Sequence, residues 1–552
     1  MSQNLVASTV IDCDSLCILA VDLVLSISLR CRHIKNDYRH NLFYMIDDSF
    51  LWIPILGGFV MFYVAWGIGA NDAANSFATS VGAKVLTMKQ ALIVAAIFEF
   101  LGAFLMGSQV TKTIRKNIVD IDSFEDQPEV LMFGMLTALF GTGIWLMIAT
   151  WFKLPVSTTH SSIGSIVGFA LVVHGRNAVD WDKIIQIVIS WVVSPVFSGC
   201  LSAILFLFVK YVALTRPDPV KQMLKPYVFP LLVFLTVWAN VFFIIYKGTP
   251  VLKLDDTPLS LGLGLSAAGA FIVAVLAYIF LVPWLRKRSE LPNRAVPNST
   301  IEIPCTNSES KGTDIELSPS INPCTPPGSG ISSHGSSVNL IDLTNQDTTQ
   351  KLNSVKKVHH ELSKQLTEEK LQKHHQHSRV FSDRSERLFS QLQVFTACFS
   401  AFAHGANDVA NAIGPFAAII AIYDHGVVNS KSDVPIWILL IGGVGIVVGL
   451  GTWGYKIIER IGRELTKVTP SRGFTIELAS ATTVVIASRI GIPISTTHSQ
   501  VGAVTGCGLV DGHKNIDWSI FLKIIVSWLV TLPVAGLIAA GLFSFGVYSP
   551  EL

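Results

Sequence analysis

The sequence predicts an all-α polytopic membrane protein, with about twelve transmembrane helices in two inverted-topology repeats, some of them discontinuous. Three observations carry that prediction. Half of the 552 residues are hydrophobic and 14% are charged, against about 25% charged in soluble domains; mean hydropathy is +0.51. A second observation is that Gly69-Ala70-Asn71-Asp72-Ala73-Ala74-Asn75, inside an apolar stretch, returns as Gly405-Ala406-Asn407-Asp408-Val409-Ala410-Asn411. The third is that Leu154-Pro155-Val156-Ser157-Thr158-Thr159-His160-Ser161 returns as Ile492-Pro493-Ile494-Ser495-Thr496-Thr497-His498-Ser499. Gly69 to Gly405 is 336 positions and Leu154 to Ile492 is 338. Chance matches would not share an offset, so the chain is an internal duplication.

Residues 1–50 read as an extension. Leu16 to Leu29 is too short to span and is interrupted by Asp22. Acids precede that run where a signal peptide places positive charge, and a transit peptide would be poor in acids. Twelve apolar stretches follow, at 51–70, 91–109, 131–151, 154–174, 183–213, 227–246, 259–285, 392–422, 435–458, 474–491, 493–511 and 519–549. Backbone polar groups cannot go unpaired in lipid, so each should be a helix. Residues 51–285 hold the first repeat with its connecting helices, and 391–549 the second. Between them, 286–390 is rich in Ser, Asn, Pro, His and charge. Its first two-thirds read as disordered, and 351–377 as a polar helix. Eight scattered cysteines form no zinc-type pairing or disulfide framework.

Lysine and arginine placement orients the chain. Lys84, Lys153, Lys210, Arg216, Arg286, Lys287, Arg288 and Lys456 belong to the richer set; Lys112, Arg115, Arg176 and Lys247 to the poorer. The central loop is then cytoplasmic and both termini face out. Seven crossings separate the two Gly-Ala-Asn-Asp helices. An odd number makes the repeats inverted, the architecture of many secondary transporters. That parity assumes that 154–174 crosses once.

A carboxylate at membrane depth costs several kcal/mol unless compensated. Keeping Asp72 and Asp408 there, each beside two asparagines (Asn71 and Asn75; Asn407 and Asn411), points to a site for a hard cation such as sodium. The competing reading is a tight helix contact glued by polar side chains, which explains the asparagines better than the aspartates. In the other motif, proline followed by hydroxyls reads as a helix start. A half-helix beginning inside the membrane aims free N–H groups and its positive end inward. Ser157, Thr158, Thr159, Ser495, Thr496 and Thr497 add hydroxyls, so two such starts can surround one tetrahedral oxyanion. The alternative is a Pro-kinked helix with hydroxyls bonded to its own carbonyls. His160 and His498 have three readings: anion donor, proton relay, or satisfied interhelical histidine. Glu99 and Glu477 are further acids in apolar runs but are not repeat equivalents, lying 27 residues after Asp72 and 69 after Asp408. Each also reads as a helix-end glutamate reaching for the interface, Glu477 more so with Arg472 near. Asp180-Trp181 and Asp517-Trp518 read as interfacial anchors. The loop histidines read as solvated. No P-loop, nucleophile elbow or metalloprotease motif occurs, and the formal charge of +2 gives no reason to invoke nucleic acid.

Together, the paired motifs, Glu99 and Glu477 at those spacings, and the long central loop resemble the Pit-type inorganic phosphate transporter family, in its sodium-dependent symporter branch. The resemblance covers 51–285 and 392–549. It implies twelve helices in an inverted repeat and symport of inorganic phosphate with sodium, or with protons in some members. It also implies functional roles for Asp72, Asp408, Glu99 and Glu477, the two glutamates joining the cation-binding set, and a coupling role for His404. Ile68 stands where the first copy would need a matching histidine, and Ser76 where members often have alanine. The expectation is a plasma-membrane symporter that imports phosphate by alternating access. It is not an enzyme and needs no cofactor; its partners are sodium, phosphate and the lipid bilayer, and a homodimer is the candidate assembly. The alternatives are a proton-coupled or other-oxyanion carrier, and a phosphate sensor that signals through the cytosolic loop.

Overall fold

A computed structural model describes residues 48–549 apart from 119–120, 247–256, 290–375, 377, 427, 429–433 and 491. The N-terminal extension and nearly all of the central loop, including the polar helix expected at 351–377, lie outside the described residues. The chain divides into a unit of residues 1–289 with 371–552 and a second of 290–370; everything below concerns the first.

Each of the twelve apolar stretches is helical. The long helices are α1 (Trp52–Gly82), α2 (Met88–Asn117), α3 (Pro128–Trp151), α4 (Thr158–His174), α5 (Trp181–Leu214), α6 (Val228–Ile245), α7 (Leu259–Lys287), α8 (Asp383–His425), α9 (Ile436–Trp453), α10 (Pro470–Arg489), α11 (Thr496–Leu509) and α12 (Trp518–Tyr548). Among the described residues there is no strand. Eight of the twelve, α1, α2, α3, α5, α7, α8, α9 and α12, are long and apolar enough to cross a membrane. The expected dozen spans therefore reduces to eight by this measure. The reason is visible in α4 and α11: 17 and 14 residues give about 26 and 21 Å, short of a ~30 Å hydrocarbon core. Both also open on Thr-Thr-His-Ser rather than on apolar residues.

Outward faces suit lipid. Ile185, Ile189, Val192, Val193 and Val196 of α5 are all more than half exposed, an apolar surface that water would not tolerate at this extent. Asp180 and Asp517 do open α5 and α12: each caps its helix by accepting from a backbone N–H two or three residues on. The adjoining indoles tie back to the preceding turn, Trp181 to Arg176 O and Trp518 to His513 O.

The interior is held by close backbone approach. A Cβ on Gly69 would sit 1.8 Å from the Ile446 carbonyl oxygen of α9, and one on Gly405 2.1 Å from the Glu99 carbonyl oxygen of α2. Each Gly-Ala-Asn-Asp glycine is therefore needed for contact with a neighbouring helix. α1 and α8 run antiparallel: Gly57 faces Phe416 and Ile419, while Asn75 and Ser76 share a cavity wall with Ser400 and His404.

Arg472 does not accompany Glu477, as proximity in sequence suggests. It is 2% exposed and binds Asp511 and the Arg379 carbonyl oxygen (2.7 Å), while Lys210 lies 2.9 Å from the same aspartate. Burial opposes the charge on Asp511, but the Arg472 and Lys210 cations outweigh it and hold its carboxyl below the usual range. A lowered pKa contributes stability that is complete above the unfolded value, about 3.9, and is lost as pH falls through the folded one. Asp511→Asn should leave two buried cations without a counter-charge at neutral pH and cost about 3 kcal/mol. A thermal melt of the purified variant that matches wild type would show the cluster to be dispensable.

Candidate functional site

Both motif pairs meet at the same place, by related contacts. In α1 the stretch Gly69–Ala73 forms a π-helical turn, a distortion common at functional sites; the second copy lies within uninterrupted α8. Extended residues precede α4 and α11, and Ser157 and Ser495 cap these helices by accepting from His160 N (3.3 Å) and His498 N (3.2 Å). The predicted helix starts are therefore present, with the two serines engaged in capping.

The tips dock on the asparagines. Asn71 Nδ2 donates to Thr150 Oγ1 and Leu154 O, both 3.0 Å, and its Oδ1 accepts from Val156 N at 3.1 Å. Asn407 Nδ2 donates to Ile494 O at 3.1 Å, and its Oδ1 accepts from Ser488 Oγ at 3.0 Å. The aspartates follow. Asp72 accepts from the backbone N–H (3.0 Å) and hydroxyl of Thr158; Asp408 accepts from Thr496 Oγ1 at 2.5 Å.

The second threonine of each copy crosses to the other half. Thr497 Oγ1 is 2.8 Å from Asp72 Oδ1 and 3.1 Å from Val156 O, and accepts from Asn75 Nδ2 at 2.8 Å. In the matching place, Thr159 Oγ1 donates to Ile494 O and accepts from Asn411 Nδ2, each at 3.3 Å. Asn75 Oδ1 and Asn411 Oδ1 are buried acceptors without a hydrogen-bond partner among the described residues. Buried polar atoms are almost always paired, so these two oxygens point to something that binds them.

The acids do not form one cluster. His404 bridges Glu99 and Asp408, with Nδ1 2.7 Å from Glu99 Oε2 and Nε2 2.8 Å from Asp408 Oδ2. Glu477 stands apart, two turns along α1 from Asp72. It accepts from Thr79 Oγ1 (2.6 Å), Ser80 Oγ (2.5 Å), Gln393 Nε2 (3.0 Å) and Thr396 Oγ1 (2.7 Å). Both glutamates are fully buried in mid-helix, so neither reaches for an interface. His160 and His498 stack on Trp191 and Trp528.

Sequence reasoning passed over the partners of Glu477, and also Ser400, Ser480 and Gln500, which line a small cavity with Asn75, Ser76, His404 and Thr496. A signal was available. Asp72, Ser76, Thr79 and Ser80 fall at helical spacing, as do Gln393, Thr396, Ser400, His404, Asn407 and Asn411. Each is a polar stripe on an otherwise apolar helix.

The phosphate transporter family's sequence profile matches residues 68–539. This chain belongs to that family. The transporter is 33% identical to a sodium-dependent phosphate transporter 2 of Xenopus laevis, over 91% of this chain and 99% of that protein. It is 38% identical to a putative phosphate permease of Pyrococcus furiosus, over 91% and 97%. A solved structure titled the sodium-dependent phosphate transporter superposes with a TM-score of 0.68 at 32% identity, covering 90% of this chain and all of that one. The transporter is thus a multi-pass membrane protein and not an enzyme. The family match begins one residue before Gly69 and so takes in both copies of both motifs.

Proposed function

We propose that this chain imports inorganic phosphate across the plasma membrane in symport with sodium, by alternating access of two inverted repeats. One observation carries the reading. Asp72 and Asp408 each lie against the start of a short helix, one turn from an asparagine, Asn75 or Asn411, whose Oδ1 has no partner among the described residues. Carboxylate and amide oxygens are the ligands that a hard cation takes, as in oxygen-lined calcium sites. Asn71, Asn75, Asn407 and Asn411 with the two aspartates form the cation sites. Glu99 and Glu477 are outlying acids on the ion path. The starts of α4 and α11 supply Ser157, Thr158, Thr159, Ser495, Thr496 and Thr497 for the anion.

Coupling follows from charge. With both carboxylates bare, phosphate meets repulsion and finds the Thr158 N–H already held by Asp72. Sodium at Asp72 and Asp408 neutralises the acids, draws Asp72 from the helix tip and frees donors for the oxyanion. Inversion is supported by the antiparallel run of α1 and α8, and by the odd count separating them, as first and sixth of the eight long apolar helices. The names of the relatives favour sodium. The central loop faces the cytoplasm in this scheme.

A proton-coupled variant is the second reading. It rests on His404, whose ring nitrogens join two buried acids into one chain. Uptake of labelled phosphate by cells expressing the full chain separates the two. With choline replacing sodium at neutral pH, uptake should fall to background. Uptake that persists in choline and grows on acidification would transfer the role to protons.

A further inference from the structure

Next to the crossed threonines lies a cluster that the transport scheme does not use. His160 of α4 stacks on Trp191 of α5, with ring centroids 3.6 Å apart and planes at 32°. His498 of α11 stacks on Trp528 of α12 at 3.7 Å, again at 32°. The imidazoles meet edge to face, 4.5 Å apart at 85°. His498 Nδ1–H donates to the Trp191 carbonyl oxygen at 3.1 Å. Four rings from four helices, two in each half, thus form one aromatic stack with matched geometry on either side, buried except at the half-buried Trp191.

The helices that carry these rings also meet elsewhere along their length. α4 meets α12, and α11 meets α5, through glycines set against backbone: Gly164 against Leu532 and Gly502 against Pro195. Such contacts fix how close the helices come. At the glycines themselves no side chain interlocks; between α4 and α12 the Ser165 hydroxyl on Ala535 O and Phe169 against Phe543 add to the contact. The face-to-face and edge-to-face ring contacts do resist rotation, since aromatic pairs prefer particular angles. Each histidine directly follows the threonine that crosses the halves, Thr159 or Thr497, so a rotation of α4 or α11 turns that hydroxyl away from its partner.

We infer that Trp191 and Trp528, clasping His160 and His498, are positioning residues that hold the two helix tips in register and so set the affinity for the transported oxyanion. This assigns the two histidines to packing rather than to proton relay. It rests on the phosphate-transport reading above. The indole N–H groups of Trp191 and Trp528 have no hydrogen-bond partner among the described residues, and phenylalanine removes that donor while keeping a ring face.

That distinction sets the test. Trp191→Leu and Trp528→Leu, in the full-length protein, should each raise the KM for phosphate by about tenfold, the effect of losing one aromatic pair. The maximal rate per surface transporter should stay unchanged. Trp191→Phe and Trp528→Phe keep a ring and should restore KM close to wild type. The double Leu variant should be far from additive, because both tryptophans hold one stack. If the Leu variants fail to reach the surface, Met, which fills the volume without a ring face, takes their place with the same expected shift. Unaltered KM in the Leu or Met variants, while wild type transports normally, overturns the inference; so do Phe variants as impaired as Leu. Absence of uptake by wild type itself overturns the transport reading instead.

Discussion

Asp72→Asn and Asp408→Asn should each reduce sodium-driven phosphate uptake by at least about 100-fold while leaving the protein at the cell surface. Asparagine matches aspartate in shape, so the fold around it survives. Asp72 accepts from Thr158 N, Thr158 Oγ1 and Thr497 Oγ1, and an amide oxygen can still accept most of these bonds. What it cannot supply is charge. A hydrogen bond to a charged group is worth about 1.5–3 kcal/mol against about 1 for a neutral one, and each 1.4 kcal/mol is a tenfold change. The loss of a direct cation ligand adds to that. Asp408→Asn also removes one end of the Glu99–His404–Asp408 chain, so it should be the more damaging of the two. Labelled-phosphate uptake normalised to surface protein is the measurement. Wild-type rates in either variant would remove the aspartates from the mechanism.

Glu477 should separate structure from charge more sharply than any other residue. It takes four donors from two helices of different halves: Thr79 and Ser80 on α1, Gln393 and Thr396 on α8. Glu477→Leu strips all four at once. A buried donor without a partner costs about 1–3 kcal/mol, so the total of at least about 4 kcal/mol approaches the whole stability of many proteins. The expected result is little folded protein at the surface. Glu477→Gln keeps an acceptor oxygen for α1 and an amide that the rotatable Thr396 hydroxyl can accept from. This variant should fold and reach the membrane, and its uptake should be weakly activated by sodium. Normal surface levels of Glu477→Leu would mean that water enters this region freely. Normal sodium activation of Glu477→Gln would reduce Glu477 to a structural clasp.

The difference between the two glutamates was only partly legible in the sequence. Their unequal spacing from the aspartates was plain, and it excluded a simple duplicated role. Their environments were not. Arg472 lies five residues from Glu477 in the chain, yet α10 turns it toward Asp511 and Lys210, while Glu477 faces the hydroxyls of α1 and α8. Residues five apart on a helix sit on different faces, so sequence proximity misled. The polar stripes of α1 and α8 carried the better signal.

The sequence by itself determined the membrane class, the duplication, the family, and the helix starts at Thr158 and Thr496. Each follows from local causes: hydropathy over a span, a shared offset, and a proline with a capping serine. Which half supplies each partner was decided only by the tertiary structure. Thr497 reaches Asp72 and Asn411 reaches Thr159 because the starts of α4 and α11 are brought against α8 and α1 of the opposite half, so side chains hundreds of residues apart share one hydrogen-bond network. Composition sets how much a helix is buried; only the approach of a second backbone sets what its polar groups touch.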